Sequence, residues 1–226
     1  MKTIAHISDL HVSSEYWIPP LGDRLAQEME RLNPDLLIVA GDLCFHDGDL
    51  DELRQAKTYL DGLRCRQRLI VPGNHDVSGC GDALANYRAV FGDPFQVINE
   101  DGFFAVGIDS TEVGVPGDQW HSQGYLGAPI YDWLRRQFAT ADANDFKLLA
   151  MHHHLIAVPG TGNDQNILLD AGDVIEVHLE SGVDLVLGGH RHRGHLWQVE
   201  NLRILHSGTC TSCRYYGEEK SNSYNI

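Results

Sequence analysis

The chain has 226 residues, enough for one large domain with a substantial core. Its apolar content of 42% and charged content of 22% are ordinary for a soluble globular protein. A net charge of −15 argues against nonspecific binding to nucleic acid or to an anionic membrane, since both need positive surface. It leaves room for a small anionic substrate, because bound metal ions would reverse the local field.

The longest apolar runs, such as residues 36–40, fall far short of the ~18 needed to span a bilayer. Lys2 leads directly into an apolar strand pattern with no signal peptide, so a cytoplasmic protein is expected. The five cysteines, Cys44, Cys65, Cys80, Cys210 and Cys213, are odd in number and carry no secretion signal, which argues against a disulfide framework. Cys210-x-x-Cys213 has no second pair to complete a zinc site, and reduced thiols are expected.

In chain order, residues 3–7 read as a first strand that ends at Ser8-Asp9-Leu10-His11. On an extended segment Asp9 and His11 point the same way, so one strand end would offer a carboxylate and an imidazole to one ion. Residues 22–32 have helical spacing, with Leu25, Met29 and Leu32 on one side, and Asn33-Pro34 ends the helix. Residues 35–40 form a second buried strand ending in Gly41-Asp42, and residues 49–63 a second helix. Arg68-Leu69-Ile70-Val71 is a third strand, stopped by Pro72-Gly73. Asn74, His75 and Asp76 follow at the mouth of the sheet, where open α/β folds place their ligands. This alternation predicts a largely parallel sheet covered by helices, with Asp9, His11, Asp42 and Asn74 meeting along one edge.

Residues 83–91 form a short helix, 92–98 turn and strand, and 103–109 another strand. Residues 113–127, with Trp120, His121 and Tyr125, read as a long irregular loop of the kind that is often functional. Residues 129–139 are helical, with Pro129 suited to the first turn. Residues 147–151 form a strand that runs into His152-His153-His154. Neighbours on a strand point oppositely, so at most one or two of these face an ion; His152 is the expected ligand and His153 its rival. A helix over 168–180 and a strand over 184–187 lead to Gly188-Gly189-His190-Arg191-His192, whose glycines let backbone approach closely. His190 and His192 are expected to share one face, and 196–199 with 203–207 to form a hairpin. His6 reads as a core residue, and no linker divides the chain.

Collected, the strand ends supply two carboxylates, one amide and four imidazoles: Asp9, His11, Asp42, Asn74, His152 or His153, His190 and His192. One ion rarely takes seven such ligands, whereas two can if a carboxylate bridges them, the usual arrangement for displacement at phosphorus. Nitrogen and oxygen donors without sulfur suit Mn²⁺, Fe²⁺/Fe³⁺ or Zn²⁺ alike.

Asp9-x-His11, Gly41-Asp42, Gly73-Asn74-His75-Asp76, the His152 cluster and Gly189-His190-x-His192 together resemble the five blocks of the calcineurin-like metallophosphoesterases, in the family's order. The asparagine block and the short chain are closer to the cyclic-nucleotide and glycerophosphodiester phosphodiesterases (class III) than to the protein phosphatases, which carry Glu at the position of Asp76. Residues 124–134 and 207–224 resemble the cyclic-nucleotide branch as well. The resemblance implies an α/β fold, a four-layer α-β-β-α sandwich of two mixed β-sheets flanked by helices, with the metal site at the C-terminal ends of the strands. It implies a single domain over 1–226 that stops before a further strand with which relatives usually continue.

The resemblance further implies two divalent ions. One would take Asp9, His11, Asp42 and His192, the other Asp42, Asn74, His152 and His190, with Asp42 and a water or hydroxide bridging them. That hydroxide would attack phosphorus in line, His75 would stabilise the transition state or protonate the leaving oxygen, and Asp76 would orient His75. Asn74, His75, His153 and Arg191 are the implied substrate contacts. The expected activity is cleavage of a small phosphodiester, such as cAMP or a glycerophosphodiester. A phosphomonoesterase, a nucleotide pyrophosphatase or a non-catalytic metal-binding scaffold are the alternatives. No nucleic-acid polymer and no membrane are expected as partners, and a homo-oligomer is left open. One departure is the absence of the proline that commonly follows the His152 block.

Overall fold

The computed structural model describes residues 2–77, 82–111, 123–162, 167–217 and 220–226. Cys80, Trp120, His121 and most of the loop expected over 113–127 lie outside the described residues. The first half is β1 (Ile4–Ile7), α1 (Pro19–Leu32), β2 (Leu36–Ala40), α2 (Leu50–Gly62), β3 (Gln67–Val71), the single turn α3 (Asn74–Val77) and α4 (Ala83–Phe91). The second half is β4 (Gln96–Glu100), β5 (Phe103–Gly107), α5 (Ala128–Phe138), β6 (Phe146–Ala150), α6 (Ala171–Glu180), β7 (Leu185–Gly188), β8 (His195–Val199) and β9 (Leu202–His206).

β1, β2 and β3 form a parallel three-stranded sheet. The second sheet has six strands in the order β4-β5-β6-β7-β9-β8, parallel through its middle and antiparallel at both edges. The period of two sorts the side chains between layers. On β2, Leu37 and Val39 pack with Leu25, Met29, Leu53 and Leu60 of the helices, while Leu36 and Ile38 face Phe103, Leu148 and Ala150 of the other sheet. On the far side Leu149 packs with Leu134, Phe138, Val174 and Val177 of α5 and α6. The result is four layers, helix, sheet, sheet, helix, and a strand buried on both faces must be apolar throughout, as β2 is.

Local chemistry sets the helix ends. Pro19 and Pro20 occupy the first turn of α1, where no backbone donor is required, so the helix begins before the expected Gly22. Asn33 closes it in a left-handed conformation (φ 43°). The Asp49 carboxylate accepts the Asp51 and Glu52 N–H groups at the start of α2 (3.0 and 2.9 Å). Expected helix and strand positions otherwise agree with the structure to within a few residues.

Beyond β9 the tail returns across the ends of both sheets. It pairs with the first half through isolated bridges: Ser8 with Thr209, Trp17 with Ser212, and His6 with Asn225 in antiparallel sense. Among the described residues no helix is long and apolar enough to cross a membrane.

Candidate metal centre

β1, β2, β6 and β7 all end on the same edge, and each hands the chain to a polar loop. Asp9 and His11 do not converge by strand alternation, as the sequence suggests. Both have left-handed backbone, φ 55° and 48°, so the chain has already left the strand and curls the two side chains together. Asp42 (53°), His190 (71°) and His192 (51°) do the same. Among the described residues nine non-glycine positions have positive φ, and these five are all candidate ligands. Such backbone costs about 1–3 kcal/mol per residue and persists only where the surroundings enforce it.

The surroundings are visible. Asp9 N–H donates to Gly41 O and His11 N–H to Asp42 O, both at 3.0 Å, locking the first two loops together. The Thr209 and Thr211 hydroxyls donate to Asp9 O (2.7 Å) and Leu10 O (3.0 Å) from the tail. The buried Asp76 carboxylate accepts N–H bonds from Leu43 (2.9 Å), Cys44 (3.0 Å) and Gly73 (2.8 Å). Burial, then the nearby Asp42 charge, push its carboxyl up to about 7 in spite of those donors. Asp76 thus ties the Asp42 loop to the Asn74 loop. It does not orient the His75 ring, whose Nδ1 instead donates to Phe45 O (2.8 Å). The reason is α3: one helical turn carries His75 and the adjacent Asp76 to different sides. Gly73 and Gly189 permit the close approach. An added Cβ would stand 2.2 Å from Asp42 Oδ1 at Gly73, and 2.6 Å from Asp9 Oδ2 at Gly189.

Asp9, His11, Asp42 and His192 are buried, and their potential ligand atoms all lie within 4.8 Å of one another. Next to them His152 Nε2 lies 3.4 Å from Asp42 Oδ1 and 3.1 Å from His190 Nδ1, which is itself 3.1 Å from Asn74 Oδ1. Asp42 therefore faces both groups, through different carboxylate oxygens: Oδ2 lies 3.9 Å from His11 Nε2. His190 and His192 do not share one face; each joins a different group.

Three rings are held in one tautomer from behind. His11 Nδ1 bonds Cys44 O (3.0 Å), His152 Nδ1 bonds Ala40 O (2.7 Å), and His192 Nδ1 bonds Arg214 O. A carbonyl can only accept, so each Nδ1 carries a proton, and on a neutral ring Nε2 is then left with a lone pair turned inward, the usual arrangement behind metal-bound histidine. Burial pushes the His11 ring down to about 3 and the His190 ring well below its ordinary range. Burial also raises the Asp42 carboxyl, but His152, His75 and His11 outweigh it and hold it well below the carboxylate range. Ionised carboxylate and neutral imidazole are the forms that bind cations. His152 is the exception: burial opposes its charge, yet Asp42 raises it to about 9, so a cation must displace a proton there. Oxygen and imidazole donors converging without a sulfur fit a hard or borderline divalent cation. Cys44 is close, but its Sγ turns to Asp76 Oδ1 (3.3 Å) and His75 O (3.3 Å).

The rival His153 is held by Ser110, Oγ to Nδ1 at 2.9 Å, while its ring packs 4.7 Å from that of His190. Arg191 is buried, bonds Thr161 Oγ1 (3.1 Å) and Thr161 O, and stacks on Tyr216 at 4.6 Å. His6 is a core residue, as expected, with Nδ1 meeting Asn225 Nδ2 (3.1 Å). Sequence reasoning missed Phe45, Arg214 and Tyr216. His75 stacks on Phe45 (4.9 Å, 21°), and Arg214 reaches His75 Nε2 (2.7 Å) from the tail. Residues 139 apart give no spacing signal.

Known proteins resemble this chain in sequence and in fold. The chain is 28% identical over 217 residues to the glycerophosphodiester phosphodiesterase GpdQ of Enterobacter lignolyticus, covering 89% of this chain and 74% of that one. It is 24% identical over 185 residues to a probable cyclic nucleotide phosphodiesterase of Xenorhabdus bovienii, covering 80% and 71%. The fold is that of a dimetal phosphatase from Danio rerio, with a TM-score of 0.69 over 94% of this chain and 89% of that one, at 13% identity. The family model for calcineurin-like phosphoesterases matches residues 2–194. The chain belongs to the calcineurin-like phosphoesterase family, and with it to the metal-dependent phosphoric ester hydrolases.

Proposed function

We propose that this chain cleaves a phosphodiester bond of a small substrate, of the cyclic-nucleotide or glycerophosphodiester class, using two divalent cations. The observation that carries the reading is Asp42, which presents Oδ1 to His152 and Oδ2 to His11 and so faces two donor groups at once. Asp9, His11, Asp42 and His192 would hold one cation; Asp42, Asn74, His152 and His190 the other. When bound, such a pair supplies Lewis-acid polarisation of water and of phosphoryl oxygens.

The chain's own residues do the rest. The backbone carbonyls behind His11, His152 and His192 fix which nitrogen faces inward. Stacking on Phe45 and the Nδ1 bond to Phe45 O hold the His75 ring with Nε2 toward the site. That nitrogen is the one placed to carry a proton to the leaving oxygen. The names of the two sequence relatives favour a diester over a monoester. So does the net charge of −15, which suits a singly charged diester better than a polyanion.

The test is a hydrolysis panel with Mn²⁺: a cyclic nucleotide, a glycerophosphodiester, a nucleotide pyrophosphate and a phosphomonoester. The expected result is highest kcat/KM on one of the two diesters. Hydrolysis confined to the monoester or the pyrophosphate would overturn the reading.

A further inference from the structure

Arg214 has no role in the metal centre beyond its backbone carbonyl. Its guanidinium nevertheless lies over the rings of Phe45 (5.1 Å) and Tyr216 (5.7 Å) and donates to His75 Nε2 (2.7 Å). Arg24, Arg31, Arg54, Arg64, Arg66 and Arg135 pair with carboxylates. Arg214 pairs with none among the described residues, in a chain with 32 acidic and 17 basic residues. A neutral imidazole is a weak partner for a half-buried guanidinium that carries five donors. The backbone beneath it is fixed, because Arg214 O accepts from His192 and Arg214 N–H donates to Ser212 Oγ (3.3 Å). The cation therefore stands on a rigid base, beside the cluster, without an anion.

We infer that Arg214 is a phosphate anchor: its guanidinium binds oxygens of the substrate's phosphoryl group and gives up His75 to do so. The inference rests on the phosphoesterase reading above. A phosphoryl oxygen is an anionic acceptor that matches the planar fork of arginine, so it outcompetes imidazole for the same donors. Because Arg214 can only donate, His75 Nε2 can only accept while the two are joined. Arrival of phosphate thus releases His75 Nε2 from this bond. Tyr216, whose ring lies 5.7 Å from the guanidinium, also packs edge-on to His192 at 5.0 Å.

The experiment measures binding of inorganic phosphate by calorimetry to Mn²⁺-loaded protein, with metal content determined on the same samples. Arg214→Ala should weaken phosphate about 10–100-fold, the scale of a charge-assisted hydrogen bond lost. Arg214→Lys, which keeps charge but not the fork, should fall between. In diester hydrolysis Arg214→Ala should raise KM more than it lowers kcat. Unchanged phosphate affinity in Arg214→Ala overturns the inference. A fall in metal content in step with the phosphate loss overturns it too, by making Arg214 a support of the cluster. A chain that binds phosphate through Arg214 but hydrolyses no diester refutes the functional reading and leaves this one standing.

Discussion

His11 and His192, 181 positions apart in the chain, face each other Nε2 to Nε2 across 3.4 Å. Each ring spends its Nδ1 proton on a carbonyl, of Cys44 and of Arg214 respectively. Two inward lone pairs repel at that distance, and the Asp9 carboxylate, 3.2 Å from His192 Nε2, adds negative charge. A cation between these groups turns the repulsion into coordination.

Metal should therefore stabilise the fold. A ligand present at 100 times its Kd adds about 2.7 kcal/mol, which for a chain of this size raises Tm by roughly 5–10 °C. Excess Mn²⁺ should produce that rise and a chelator should reverse it. His11→Ala should lose most of the response. A Tm indifferent to Mn²⁺ would contradict the convergence of lone pairs.

His75→Ala separates chemistry from assembly. The His75 ring packs edge-on to His11 (5.3 Å), but its nitrogens are taken by Phe45 O and Arg214 and neither joins the donor groups, so both metals should remain bound in the variant. Turnover should fall about 10²–10⁴-fold, the usual size of a proton-transfer contribution. The loss should shrink on a substrate with a good leaving group, which needs little protonation. Loss of metal in His75→Ala would show that the side chain supports the cluster directly.

His178 gives a prediction far from the site. It is fully buried on α6 beside Val174 and Val177, and its ring nitrogens find no hydrogen-bond partner among the described residues. Burial lowers its pKa from 6.5 to about 3. Between those values the unfolded chain binds a proton that the folded chain refuses, so stability falls as pH drops through 6.5. At pH 5 this one ring costs about 2 kcal/mol relative to neutral pH. His178→Leu removes the proton, so its Tm should drop less between pH 7 and pH 5 than the parent's, by roughly 4–8 °C. Parallel curves would show that His178 does not contribute to acid sensitivity.

Much of this was legible in the sequence because strands and ligand blocks alternate. The apolar runs before Asp9, Asp42, Asn74, His152 and His190 announce buried strands, and a ligand at the end of each predicts one edge. Local geometry was not legible. Asp9-x-His11 looks like one face of a strand, but tertiary bonds to Gly41 and Asp42 hold both residues in left-handed backbone. Asp76 follows His75 and invites pairing with it, yet α3 turns its carboxylate to the N–H groups of Leu43, Cys44 and Gly73. Arg214 was hidden because its meaning depends on a tail that folds back across both sheets.

The most direct test of the account is Asp42→Asn, read as metal stoichiometry and diester hydrolysis on one preparation. The carboxylate offers one oxygen to each donor group, whereas an amide offers a single oxygen and no charge. Asp42 sits past the end of β2, and the core is built by the apolar strand behind it, so the circular-dichroism spectrum should not change. The account predicts about two Mn²⁺ per parent chain, with one lost first in the variant and activity lost with it. Two metals and full activity in Asp42→Asn would contradict it.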